Sequence, residues 1–182
     1  MKPYITKKNL LKHAISVAAL SVVVGAASAA QIELVNQDFE TGDLTGWNTA
    51  GQVTAAGETN VTTSNGTTYA ISPNETTMAY LNASGSTVSQ IESFFGINSG
   101  SLFAAQDTGD TANTSGNFQL TNGSAISQTF TANAGDTIDM SWNYVARDYI
   151  PYTDPSFAVL VGPDGTTIDV LASTTGPGLA TG

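Results

Sequence analysis

The segment FAVLVGPDGTTIDVL, residues 157–171, carries the clearest turn pattern of the chain. A continuous apolar run at 157–161 is followed by Gly-Pro-Asp-Gly at 162–165 and then by further apolar residues, Ile168, Val170 and Leu171. Proline sets φ in a turn and glycine accepts positive φ, so this pattern predicts two strands joined by a tight turn.

Short apolar runs of the same kind recur upstream in a chain rich in Thr, Ser, Asn, Gly and Ala. This composition is typical of many short strands joined by turns, so the predicted fold class is all-β. The clearest predicted strand runs from Thr137 to Val145, where apolar and polar residues alternate, and its apolar face places Trp142 in the core. Residues 125–131 and the turn at 134–136 precede it, so a hairpin is expected there. Residues 57–77 fit either a polar strand pair or a long loop.

One segment departs from the strand pattern. Val88, Ile91 and Phe95 recur at helical spacing, and residues 87–90 fit a capping box. Gly96 follows where a helix would end, so a short helix from about Thr87 to Phe95 is predicted. The polar, glycine-rich stretch between residues 100 and 124 is expected to be mainly an exposed loop.

The N-terminus has the pattern of a secretory signal peptide. Four lysines lie within residues 2–12, an apolar run covers 14–27, and Ala27-Ser28-Ala29 fits a cleavage site. The alternative is a membrane anchor, but about 15 apolar residues fall short of the roughly 20 needed to span a bilayer. We therefore expect residues 1–29 to be removed and residues 30–182 to form one exported domain.

Cleavage would remove every lysine and the only histidine, His13, leaving Arg147 as the one cation beside fifteen Asp and Glu. The formal charge then changes from −10 to −14. Without cysteine or histidine the domain has no thiol nucleophile, Ser-His-Asp triad or usual zinc site. Binding of nucleic acid needs clustered basic residues, so the composition argues against that function too.

Residues 35–47, VNQDFETGDLTGW, resemble the N-x-x-F-E-x-G-x-x-x-G-W opening of galactose-binding-like jelly rolls, which include many bacterial carbohydrate-binding modules. A second block, residues 91–102 and 123–154, is similar to bacterial exported proteins that often carry PEP-CTERM sorting tails. The two blocks cover most of residues 35–172. The resemblance implies a jelly-roll β-sandwich in a secreted or cell-surface protein.

The chain departs from this family pattern near its end. The family's Asn-Asp-Phe-Ala is replaced by a stretch in which Asp154 is retained but Pro155 and Ser156 precede Phe157. The family would also continue beyond Gly182 through further strands. We therefore expect the sandwich to be incomplete at its C-terminus, because a complete one avoids an open strand edge.

Two candidate sites follow. Related jelly rolls often bind a structural Ca²⁺ through the Glu of the Phe-Glu motif, which the resemblance matches to Glu40, with a late Asp that has no counterpart here. Asp38 and Asp43 are the nearest additional ligands, and calcium prefers such oxygen donors. The alternative is that Glu40 and Asp43 are solvated turn residues.

The second candidate is a sugar site. Aromatic, cationic and carboxylate side chains come together only at residues 147–154. Such a cluster suits stacking on a sugar and hydrogen bonding to its hydroxyls. Its members are Arg147, Asp148, Tyr149, Tyr152 and Asp154. The alternative is a packed loop with an exposed ion pair of Arg147, which stabilises little.

The sequence therefore predicts an exported module that binds extracellular polysaccharide or matrix, optionally with calcium. A structural surface protein without a small ligand is the rival hypothesis. A glycosidase using Asp148 and Asp154 is a third, although nothing in their spacing requires the paired carboxyls of such an enzyme. We expect no catalytic residues and no membrane span in the mature chain.

Overall fold

A computed structural model describes residues 31–109, 120–147 and 155–172. This part of the chain is mostly strand, in agreement with the predicted all-β class, but it contains two helices rather than one. The strands are β1 (Asn48–Ala50), β2 (Gln52–Ala56), β3 (Thr59–Thr62), β4 (Thr68–Ile71), β5 (Met78–Asn82), β6 (Ser86–Thr87), β7 (Asn122–Gly123), β8 (Ala125–Ser127), β9 (Ser156–Gly162) and β10 (Gly165–Ala172). The helices are α1 (Val88–Phe95) and α2 (Ser101–Gly109). No helix in these residues is long and apolar enough to cross a membrane.

The strands pair two by two, always antiparallel. β1 pairs with β8, β2 with β5, β3 with β4, β6 with β7 and β9 with β10. The β3–β4 hairpin is enclosed by the β2–β5 pair, so residues 52–82 form one nested antiparallel unit. The stretch at 57–77, for which the sequence left a strand pair or a long loop open, therefore contains a strand pair, β3 and β4.

The β9–β10 hairpin confirms the turn predicted at 162–165. Gly162 pairs with Gly165 across Pro163 and Asp164, and the ladder continues to Ser156 and Ala172 with a bulge near its far end. Gly165 has φ of +140°, a conformation that glycine adopts readily. The turn itself follows from local chemistry.

Helix α1 is also confirmed, with the predicted caps. The Thr87 hydroxyl accepts the Gln90 backbone N–H at 3.3 Å, and the Gln90 side chain accepts the Thr87 N–H at 2.8 Å. Gly96 has φ of +69° and its N–H bonds back to carbonyls of the last turn. Both ends therefore satisfy backbone groups that a short helix leaves unpaired.

The exposed loop predicted between residues 100 and 124 is wrong for its first part. Residues 101–109 form α2, in which Leu102 and Gln106 are almost fully buried. Apolar residues in this segment do not recur clearly at helical spacing, so the sequence pattern does not predict a helix here. Its packing against β10 and a cap from a distant carboxylate stabilise it instead. Residues 110–119 lie outside the described part of the chain.

The strand predicted at Thr137 to Val145 is not formed. Its one pairing is an isolated parallel bridge from Thr137 to Gln31, and Trp142 is 38 % exposed rather than in the core. The expected hairpin with residues 125–131 is wrong as well, because β8 pairs with β1. Alternation specifies which face would be apolar, but a strand also needs a neighbour that completes its ladder.

The main core lies where the helices meet β8 and β9. Its buried members are Val88, Ile91, Leu102, Ala125 and Val159. Half-buried side chains from both helices and from the β9–β10 hairpin pack around this cluster. Burial of apolar surface stabilises the folded state by about 25 cal/mol per Å². The cluster therefore stabilises the packing of the helices on the hairpin.

Candidate functional site

The Phe-Glu motif lies in a loop that is organised around Asn36. The Asn36 side chain donates to the Asp43 carbonyl at 3.0 Å and to the Thr45 carbonyl at 3.3 Å, and accepts the Thr41 N–H at 3.3 Å. Asn36 and Phe39 have φ of +50° and +61°. Asparagine tolerates this left-handed region better than most residues. These bonds close the loop before it reaches β1.

Trp47 anchors the same loop. Its indole N–H donates to the Asn36 carbonyl at 3.0 Å, and its ring centroid lies 5.3 Å from that of Phe39. A buried indole requires an acceptor for its N–H, and this carbonyl supplies one. The half-buried Trp47 is therefore a structural residue of the loop.

Glu40 lies next to the segment that leads into β5. One carboxylate oxygen accepts the backbone N–H groups of Thr76 and Thr77 at 2.9 and 2.8 Å, and the other accepts the Thr76 hydroxyl. The Thr76 hydroxyl and the Thr77 amide hold the pKa of Glu40 below its ordinary value. Both oxygens thus tie the N-terminal loop to a second loop.

Asp38 and Asp43 also accept hydrogen bonds within this loop. Asp38 accepts the Glu40 N–H at 3.1 Å. Asp43 accepts the Thr41 hydroxyl at 2.7 Å and the Thr45 N–H at 2.9 Å, and the Thr41 hydroxyl in particular lowers the pKa of Asp43. Searched over the described residues, no three His, Cys, Asp or Glu side chains come together as they would around a metal ion. Calcium binding at these acids stays a prediction.

Gln128 holds the start of this loop against the body of the protein, a role that the sequence did not reveal. Its side-chain oxygen accepts the Val35 N–H at 2.6 Å, and its amide donates to the carbonyls of Val35 and Gly46 at 2.9 and 3.0 Å. Gln128 itself is buried. A polar residue just after the apolar β8 was the only available hint.

Arg147 lies beside the turn of the β3–β4 hairpin. Its carbonyl accepts the Ser64 N–H at 2.9 Å, and its side chain is exposed. The other four members of the predicted sugar site lie outside the described residues. They are Asp148, Tyr149, Tyr152 and Asp154.

Two aromatic side chains elsewhere are exposed to solvent. Tyr69 on β4 is 37 % exposed and Trp142 is 38 % exposed. Tyr69 pairs with the buried Val61 across the same hairpin whose turn contacts Arg147. The sequence did not predict that these residues are exposed. The alternation at 137–145 predicts Trp142 in the core, and Tyr69 lies in a stretch without clear periodicity.

Comparison of the chain with protein-family models, with curated proteins and with solved structures yields no match.

Proposed function

We propose that this chain is an exported, non-catalytic module of the cell surface or extracellular matrix that binds carbohydrate. The observation that carries the proposal is that Trp142 is 38 % exposed, five residues before the lone cation of the acidic domain. An exposed indole offers a flat apolar face, and sugar rings present matching C–H faces. Aromatic side chains supply large apolar contact areas with a polar edge, which suits them to stacking on a sugar.

Arg147 and Tyr69 are two further exposed residues of the proposed site. A guanidinium carries five N–H donors, which suit the hydroxyl oxygens of a sugar. The Ser64–Arg147 backbone bond holds Arg147 at the hairpin that carries Tyr69. Asp148, Tyr149, Tyr152 and Asp154 complete the proposed site as further stacking and hydrogen-bonding groups.

The negative charge of the domain disfavours binding of anionic polysaccharides. Fifteen acids against one arginine repel polyanions over the range of the Debye length. We therefore infer a neutral polysaccharide as partner. We propose that the antiparallel pairs belong to a jelly-roll β-sandwich, a fold built from antiparallel strands.

Calcium is an optional part of this proposal, with Glu40, Asp38 and Asp43 as its ligands. The carboxylates retain lone pairs beyond those used in the loop, and calcium takes six to eight oxygens. Added calcium is then expected to raise the melting temperature of the wild type, and chelator to reverse the rise. Glu40→Gln should abolish this response; an unchanged response would remove Glu40 from the site.

The sugar proposal is tested on an array of neutral polysaccharides with Trp142→Ala. The matched control is Leu81→Ala, which truncates another exposed apolar residue, 41 % exposed on β5. We expect Trp142→Ala to weaken binding by about tenfold or more, as loss of a stacking hot spot does. Equal binding by both variants would contradict the role of Trp142.

A structural surface protein without a small ligand is the second candidate. The observation that favours it is the engagement of Glu40 and Asp43 in hydrogen bonds that hold loops together. Absence of binding to every neutral glycan, together with a melting temperature unaffected by chelator, would support this candidate over the first.

A further inference from the structure

An open cleft of about 500 Å³ lies between the helices and the β9–β10 hairpin, and neither Trp142 nor Arg147 lines it. Its size is within the range of small-molecule sites, roughly 300–1,000 Å³. One wall is the turn after α1 and the first turn of α2, and the other is the start of β10. The lining residues are Ile97, Asn98, Ser101, Ala104, Gly165, Thr166 and Ile168.

Both walls are held in place by the core. Ile97 and Ile168 pack against the buried cluster that joins the helices to the hairpin. The buried carboxylate of Glu92 accepts the N–H groups of Gly100 and Leu102 at 3.0 and 3.1 Å, which fixes the turn that forms the first wall. A site built on such supported walls loses little conformational entropy on binding.

The chemistry of the lining is polar but uncharged. Asn98, Ser101 and Thr166 supply amide and hydroxyl groups that both donate and accept hydrogen bonds. Ile97 and Ile168 supply aliphatic surface. At Gly165 a side-chain carbon would meet nothing within 4 Å, so the mouth of the cleft is open there.

The positive end of α2 does not turn this cleft into an anion site. Helix N-termini attract anions through their free N–H groups. Here the Glu92 carboxylate already bonds to Gly100 and Leu102, so its negative charge offsets the helix dipole. A neutral ligand with several hydroxyl groups fits these walls better than a phosphate or a carboxylate.

We propose that this cleft is a binding site for a neutral sugar residue, with Asn98, Ser101 and Thr166 as its hydrogen-bonding groups. The proposal rests on the carbohydrate-binding function proposed above, and it adds a subsite that is separate from Trp142 and Arg147. A polysaccharide would contact the protein at both places.

The experiment is a titration of the ¹⁵N-labelled protein, followed by amide chemical shifts. The probes are cellobiose, maltose and N,N′-diacetylchitobiose, with digalacturonic acid as the charged counterpart. We expect at least one neutral sugar to shift the amides of Asn98, Ser101 and Thr166, and the uronic acid to leave them unchanged.

Thr166→Val removes a cleft hydroxyl and keeps the shape of the side chain. We expect it to weaken binding about three- to tenfold, the effect of one lost hydrogen bond. Thr167→Val is the matched control, because successive side chains of a strand point to opposite faces and Thr167 is not in the lining. Ala104→Trp, which fills the cleft, should remove binding while the circular dichroism spectrum stays that of the wild type.

Two results would overturn the cleft. Shifts confined to residues around Trp142 and Tyr69, or equal affinities of Thr166→Val and Thr167→Val, would exclude it while the proposed function stands. If no sugar moves a cleft amide and the polysaccharide array is also negative, both proposals fail.

Discussion

Glu40 and Thr77 lie 37 positions apart in the chain and are joined by a 2.8 Å hydrogen bond from the Thr77 N–H to the Glu40 carboxylate. With the bonds from Thr76, this contact ties the Phe-Glu loop to the segment that enters β5. Glu40, which we propose as a calcium ligand, therefore also joins two loops through its hydrogen bonds.

The pH dependence of stability should report this contact. The folded-state pKa values of Glu40 and Asp43 are lowered, so their stabilisation is fully present above the unfolded values near 4 and is lost as pH falls through the folded values. We expect the melting temperature to fall on acidification from about pH 6 to about pH 3, and to fall less in Glu40→Gln. Glu33→Gln, at an exposed acid, is the control. Equal pH slopes for wild type and Glu40→Gln would contradict the contact.

Glu92 should contribute more to stability than any exposed acid. Glu92→Ala removes the acceptor of the buried Leu102 N–H and of the part-buried Gly100 N–H. We expect a loss of about 2–4 kcal/mol in the free energy of unfolding, measured with urea. Glu92→Gln keeps one acceptor oxygen and should lose less. A loss below about 0.5 kcal/mol for Glu92→Ala, the level of ordinary surface changes, would show that the cap is dispensable.

Two glycines with similar backbone angles should respond differently to alanine. Gly51 and Gly66 have φ of +77° and +84°, but a side-chain carbon at Gly51 would lie 2.5 Å from the Gly123 carbonyl oxygen, whereas one at Gly66 meets nothing within 4 Å. Gly66→Ala therefore incurs only the backbone penalty of about 1–2 kcal/mol. Gly51→Ala adds overpacking of about 1–3 kcal/mol. Thermal unfolding measures both, and equal losses would argue against the close approach of Gly51 to Gly123.

Gln128→Ala should release the N-terminal loop. Three hydrogen bonds to Val35 and Gly46 are lost, at about 0.5–1.5 kcal/mol each, so we expect a loss of about 2–4 kcal/mol in unfolding free energy. Limited proteolysis should then cut near Val35 before the rest of the protein. Gln37→Ala is the control, since Gln37 is exposed and makes one long bond of 3.3 Å to Leu34. Similar proteolysis of both variants would contradict this role of Gln128.

Elements that depend on neighbours in sequence could be predicted. The capping box at Thr87 and Gln90 and the Gly-Pro-Asp-Gly turn both act within a few residues, so the pattern is sufficient to locate α1 and the β9–β10 hairpin. Helix α2 could not be located in this way, because its apolar residues lack clear helical spacing. Burial of Leu102 and the cap from Glu92 stabilise it instead. At residues 137–145 the sequence pattern predicts a strand, but the segment forms only an isolated bridge and no strand ladder.

The candidate sites were also predictable only in part. The acids at 38, 40 and 43 and the lone Arg147 were visible in the sequence, but their partners were not. Contacts such as Glu40 to Thr77 and Arg147 to Ser64 join segments more than thirty residues apart, and no local pattern encodes them. The cleft beside α2 depends on a helix that the sequence pattern did not predict.

The sequence by itself determined the strand-rich class, the caps of α1, the tight turn before β10 and the acidic chemistry without thiol or imidazole after residue 30. Only the tertiary structure decided which strands pair, that Trp142 is exposed and that the buried Glu92 of α1 bonds to the start of α2. The physical reason is the sequence separation over which the interactions act. Caps and turns are set by φ preferences and hydrogen bonds within about four residues, whereas burial and strand pairing depend on which distant segments meet.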